Sequence, residues 1–170
     1  GIDIDNNNTG FTFSTVTATT FGSTNYGAMD PASVGFDVDD NNSNFTFTDI
    51  TISTGNYGAK GFPINDDNSD FVFNNIDIQT DDSSADAFII NDRNSNFTFD
   101  NITSQLDGGA DFVEFGSEND RGNDNTGFTF RNIVSEQDDS NGRHFRFRGD
   151  RNTNFTFDNI SAGSDDTAEF

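Results

Sequence analysis

One short line recurs six times in this chain, and any fold has to give each copy an equivalent environment. Its anchors are Phe11–Thr12–Phe13, Phe45–Thr46–Phe47, Phe71–Val72–Phe73, Phe97–Thr98–Phe99, Phe128–Thr129–Phe130 and Phe155–Thr156–Phe157. Successive copies are 34, 26, 26, 31 and 27 residues apart. A period in the range of about 20–50 residues marks a solenoid, propeller or array, whose unit cannot bury its apolar face alone and stacks on its neighbours.

The stretch from Gly35 to Lys60 serves as a model of the unit. "GFDVDD" alternates Phe36 and Val38 with Asp37 and Asp39, the period of a half-buried strand. "NNSN" is a cluster of turn formers. "FTF" is a second strand with Phe45 and Phe47 on one face, and "ITIS" is a third with Ile50 and Ile52 inward. Phe47 and Ile50 are three residues apart, so an unbroken strand would turn Ile50 to the wrong face. A tight bend between them restores the phase. It is occupied in turn by Thr15, Asp49, Asn75, Asn101, Asn132 and Asn159. Asn and Asp tolerate the left-handed backbone region that such a bend needs.

Three short strands in a repeat of about 26 residues are best satisfied by a parallel β-helix, an all-β solenoid of about six coils. Identical positions then stack. The expected inner columns are the two phenylalanines of each line, the series Val16, Ile50, Ile76, Ile102, Ile133, Ile160, and the first-strand series Ile4, Val38, Ile64, Ile90, Phe115, Phe147. Stacked Asn at the bend can form amide ladders. Residues 1–170 read as one domain of this kind, with no capping helix.

The "NFTFDNIT" line, with its Asn bend between two inward pairs, resembles the coil motif of right-handed parallel β-helix proteins of the pectate-lyase-like superfamily, which includes polysaccharide lyases, tailspikes and surface adhesins. The resemblance covers nearly the whole chain. It implies the right-handed fold and leaves the activity open, because that fold hosts many functions.

The formal net charge is -22, and the acidity is almost all aspartate, 26 Asp against 4 Glu. Such a surface repels nucleic acid and anionic membranes. No apolar run approaches the ~18 residues of a membrane span. There is no cysteine, hence no disulfide and no thiolate metal site. The polar turns at Asp39, Asp40, Asp66, Asp67 and Asp92 stack carboxylates on carboxylates, which repel. Calcium, a hard cation with oxygen ligands, is the cofactor that would relieve them, although the order of residues matches no EF-hand loop.

Departures from the repeat are the other candidate sites. "NYGA" occurs twice, so Tyr26 and Tyr57 are expected to stack on neighbouring coils, either packing their own loop or forming a platform for a glycan. "GRHFRFRGDRN" holds four of the seven arginines and the only histidine. With Phe145 and Phe147 inward, His144, Arg146 and Arg148 are expected to face out, there to pair with acids such as Glu114 or to hold an acidic glycan. Sequons begin at Asn7, Asn41, Asn44, Asn96, Asn101, Asn154 and Asn159, as a composition this rich in Asn, Ser and Thr produces by itself.

Paired carboxylates are too common here to mark an acid–base pair. An enzyme is the minority expectation, since only the Arg146/Arg148 face offers a base of the kind a polysaccharide lyase uses. The chain starts at Gly1 in a first-strand pattern and finishes with "TAEF", which matches the start of that strand in coil five, close to a whole number of coils. An uncapped solenoid exposes its cross-section and its strand edges. The expected function is therefore structural: a subunit of an extracellular filament or of a surface adhesin shaft, stacking head to tail on copies of itself. The residues expected at its two ends are Ile2, Ile4, Phe11 and Phe13, and Phe155, Phe157 and Phe170. The alternative is a carbohydrate-binding or polysaccharide-degrading β-helix.

Overall fold

In the computed structural model the described residues are 1–21, 34–55, 58–81, 85–116, 123–138 and 142–164. They form twelve strands and no helix. Six are short: β1 (Ile2–Ile4), β3 (Phe36–Val38), β5 (Phe62–Ile64), β7 (Phe88–Ile90), β9 (Val113–Phe115) and β11 (Phe145–Phe147). Six are long: β2 (Thr12–Phe21), β4 (Thr46–Gly55), β6 (Val72–Thr80), β8 (Thr98–Leu106), β10 (Thr126–Gln137) and β12 (Thr153–Ser164). The short strands make one parallel sheet in chain order and the long strands a second. This is a parallel β-solenoid. Each sheet has six strands, of which four have a neighbour on both sides.

Each coil holds two strands where the sequence suggests three. "FTF" and "ITIS" run as one long strand, bent at a single residue that drops out of the pairing register, as between Ser14↔Thr48 and Val16↔Ile50. The bend residues have positive φ in every coil: Thr15 56°, Asp49 55°, Asn75 56°, Asn101 56°, Asn132 52° and Asn159 54°. The bend restores the side-chain phase as the spacing requires, and it is too local to end the strand. The third side of the coil is reduced to single-residue bridges through Thr9, Ser43, Ser69, Ser95 and Thr126.

Two more positive-φ columns turn the other corners. One is Asn7, Asn41, Asp67, Arg93, Asp124 and Arg151; the other is Gly10, Asn44, Asp70, Asn96, Gly127 and Asn154. Asn, Asp and Gly predominate because that backbone region costs other L-residues roughly 1–2 kcal/mol. The sequon asparagines all fall in these three corner columns, and all are exposed.

The core is the interior of the tube. The register sets Phe13, Phe47, Phe73, Phe99, Phe130 and Phe157 in one column. The rings stack nearly parallel, Phe47 on Phe73 at 4.9 Å and 4°, Phe71 on Phe97 at 4.7 Å and 6°. Rings from the short strands meet them edge-on, as Phe62 meets Phe73 at 5.3 Å and 77°. Offset and edge-to-face pairs of this kind add about 0.5–1.5 kcal/mol each beyond area burial.

Volume is exchanged across the tube. At the corner before β3, β5, β7, β9 and β11 the residues are Gly35, Gly61, Ala87, Phe112 and His144. On the facing long strands the column runs Ile52, Ile78, Ser104, Ser135 and Ala162. A Cβ on Gly35 would lie 2.7 Å from Gly61 O and 3.0 Å from Ile52 Cδ1. His144, opposite the small Ala162, reaches to the coil behind, where its Nδ1 lies 2.9 Å from Ser135 Oγ.

An amide ladder lies inside the polar turn. The backbone N–H of Asn8, Asn42, Asn68, Asn94 and Asn125 donates to the Oδ1 of the Asn one coil further on, at 2.8, 2.8, 2.9, 2.8 and 3.0 Å. Asn42, Asn68, Asn94 and Asn125 are fully buried. Each side-chain amide donates back to a turn carbonyl, as Asn94 Nδ2 does to Asn65 O at 2.8 Å. Replacing Asn94 by Ala leaves the buried N–H of Asn68 without an acceptor, which costs about 1–3 kcal/mol. Urea unfolding should show that loss, whereas Asn96→Gly, at an exposed positive-φ corner two residues on that glycine adopts freely, should lose less; equal losses would remove the ladder's special role.

Candidate functional site

The most concentrated chemistry lies on the outer face of the short-strand sheet, where β7, β9 and β11 adjoin. Asp86 precedes β7, Asp111 precedes β9, and Glu114 is the central residue of β9. All three are buried. Asp86 Oδ1 accepts the backbone N–H of Asp111 at 2.7 Å, and Asp111 Oδ1 accepts that of Arg143 at 2.8 Å. The carboxylates thus stitch one coil to the next through backbone donors. Arg146, paired with Glu114 in register, sends Nη1 to Asp111 Oδ2 at 3.1 Å, and Arg148 Nε bonds Glu114 Oε1.

Burial dominates the proton affinities here. The Asp86 carboxyl is pushed up to about 7, first by desolvation and then by the neighbouring Asp111 and Glu114 carboxylates, against the Asp111 N–H and Lys60. Glu114 is also raised by desolvation, which outweighs the Arg148 and Arg146 charges. The carboxylate oxygens of Asp86, Asp111 and Glu114 lie within 4.8 Å of one another, a spacing that can take a cation.

His144 departs from expectation. Strand parity places it outward beside Arg146, yet it is buried. It lies one residue before β11, at the corner where other coils place Gly35, Gly61, Ala87 or Phe112, and there the chain turns its side chain inward. Its Nδ1 meets Ser135 Oγ at 2.9 Å, and Ser135 Oγ meets Ser104 Oγ at 2.9 Å. Desolvation lowers its basicity, opposed by a backbone contact at Gly163. The ring is a core filler with a polar partner.

Asp40, Asp66 and Asp92 form a second ladder. Each accepts the backbone N–H of the following coil on Oδ1: Asp66 N–H to Asp40 at 2.9 Å, Asp92 N–H to Asp66 at 3.0 Å and Asn123 N–H to Asp92 at 2.5 Å. Arg93 then bridges Asp66 at 3.0 Å and Asp67 at 2.8 Å, holding the Asp67 carboxyl below its ordinary range. The repulsion expected from stacked aspartates is met here by amide donors and by an arginine. Asp39 sits apart, accepting Asn65 Nδ2 at 3.0 Å and grouping with Asp3 and Asp5 at the first coil.

The two ends of the stack are the remaining site. Phe11 is 50% exposed, Phe147 46% and Phe157 46%, against 0% for Phe73 and Phe99 in the middle. Ile2, Ile4, Phe11 and Phe13 line an open cavity of about 290 Å³ at the first coil. Phe155, in the last long strand, is half-buried. Tyr26, Tyr57 and Phe170 lie outside the described residues. The buried Asn ladder is the feature that reading the sequence misses: each Asn stands in a run such as "DDNN", and only its recurrence at the coil spacing marks it out. No protein-family model matches the chain, and no curated protein or solved structure matches it either.

Proposed function

We propose that this chain is a structural element, a stretch of β-solenoid that works by stacking end to end on further copies in an extracellular filament or a surface adhesin shaft. The observation that carries the reading is the apolar cross-section of the outermost described coils, where Phe11, Phe147 and Phe157 lie about half open while the phenylalanines stacked in the middle are fully buried. An edge strand with unpaired N–H and C=O groups is a template for another strand, and a head-to-tail contact that does not close gives a fibre. The coil resemblance to the pectate-lyase-like superfamily supports a right-handed tube on the same reading. Arg146 and Arg148 direct their guanidinium groups to Asp111 and Glu114, which does not favour a glycan site on that face.

Electron microscopy of the purified chain tests this. Unbranched fibres with an axial repeat near 4.8 Å are the expected result, and fibres that shorten in a calcium chelator would bring the aspartate turns into the assembly. Dispersed short rods at every concentration and cation condition would overturn the reading.

A further inference from the structure

The charges on the outer face of the short-strand sheet are sorted along the axis. One column runs Asp3, Asp37, Pro63, Ile89, Glu114, Arg146. The next runs Asp5, Asp39, Asn65, Asn91, Gly116, Arg148, fixed by the backbone bonds of successive coils. Both columns begin with two acids, pass through uncharged residues in the middle and finish on arginine, the first with Glu114 one coil before Arg146. No lysine precedes Lys60 and no arginine precedes Arg93.

At the first coil, carboxylate oxygens of Asp3, Asp5 and Asp39 lie within 4.8 Å of one another. Among the described residues no lysine or arginine forms an ion pair with any of the three. The Asp37 carboxyl behind them is raised by burial and by the Asp39 and Asp3 charges. At the last coil, Arg146 and Arg148 reach back to Asp111 and Glu114 of the coil behind. Both arginine side chains stay partly exposed beside these pairs, 29% for Arg146 and 25% for Arg148.

We infer that the last coil binds the first coil of a second copy of this chain, in register, so that Asp3 of the incoming copy stacks on Arg146 and Asp5 on Arg148. This rests on the stacking reading above and specifies its interface. One further step of about 4.8 Å along each column produces these pairs without shifting any residue sideways. The same step continues every other column. Ile2 follows Phe145, Ile4 follows Phe147, Phe11 follows Phe155 and Phe13 follows Phe157.

The amide ladder continues as well. Asn152 supplies the Oδ1 that accepts Asn125 N–H, and its own Nδ2 is buried with no partner. Its backbone N–H stands where each earlier coil donates forward, and in this register it meets Asn8 Oδ1 of the next copy. The aspartate ladder runs the other way, with the N–H of the later coil donating back, so Asn6 N–H of the next copy meets the Asp150 carboxylate. A two-fold contact would instead set arginine on arginine or the Asp3/Asp5 group on itself. Like charges brought together at an interface cost several kcal/mol, so the contact is head to tail.

The deciding variant is Asp3→Lys/Asp5→Lys, which reverses the acidic end at exposed positions with no ion pair to break. At about 0.15 M salt, where the screening length is about 8 Å, its fibre yield by sedimentation should fall about ten-fold or more. Circular dichroism confirms that the variant keeps the wild-type spectrum. Asp3→Asn/Asp5→Asn, which removes the charge without reversing it, should give a smaller loss and carries the test if the lysine variant misfolds. Its arginine end is intact, so at one part in ten it should also shorten wild-type fibres by ending their growth on one side only. Wild-type fibres with an Asp3→Lys/Asp5→Lys variant that assembles equally well would overturn this interface while self-stacking stands. Wild-type chains that never assemble would overturn both.

Discussion

Replacing Asp86 by Asn is expected to stabilise the protein by up to about 4 kcal/mol at pH 8 and to leave it unchanged at pH 4. Its carboxyl titrates near 7 in the folded chain against an ordinary value of 3.8. Between those two pH values the folded state holds a proton that the unfolded chain has released. Stability therefore falls as pH rises from 3.8 to about 7, and above 7 the whole cost of a buried charge is borne. Asn keeps an oxygen for the Asp111 N–H and carries no charge. Glu114 and Asp111, the acids that face it, and Lys60 remain in place. Urea titrations of both proteins at pH 4, 6 and 8 would show the gap opening with pH. A gap that is flat across that range would mean that Asp86 is ionised throughout and held by its neighbours.

Phe73→Ala is expected to cost about 3–5 kcal/mol, and Phe11→Ala about 1 kcal/mol. Phe73 is fully buried, stacked between Phe47 at 4.9 Å and Phe99 at 4.8 Å, with Phe62 and Phe88 edge-on at 5.3 and 5.4 Å. Phe11 has a coil on one side only and is half exposed. A solenoid is held by nearest-neighbour contacts, so a cavity in the middle loosens two coil interfaces while truncation at the end loosens one. Thermal unfolding of the two variants gives the comparison, and equal losses would contradict a stack with open ends.

What could be read from the sequence is what stacking repeats. The two phenylalanine columns, the Ile50 column and the first-strand column lie in the register that their spacing implies, because a buried face of period two cannot slip by one residue. The phase break between Phe47 and Ile50 locates the positive-φ bend. It does not reveal that the bend leaves the strand whole. The inward turn of His144 was hidden because strand parity holds inside β11 and His144 lies before it, at a corner shaped by what the opposite wall leaves vacant. The charge cluster was half visible. "HFRFRGD" shows the arginines, and Glu114 falls one coil behind them, but Asp86 and Asp111 are two aspartates among twenty-six until the fold brings them together.

The exchange of volume across the tube bears on how such a chain finds its own alignment. If every coil were the same, any coil could settle on any other, and the chain could fold out of step by a whole repeat, a trap that repetitive sequences are prone to. Here Gly35 leaves the room that Ile52 fills, and His144 meets the short side chain and hydroxyl of Ser135. A coil displaced by a few places would set Ile against a large ring or Ser against Gly, overfilled in one layer and hollow in another. The graded wall gives each repeat an address, so a chain that looks monotonous line by line still encodes the order in which its lines must lie.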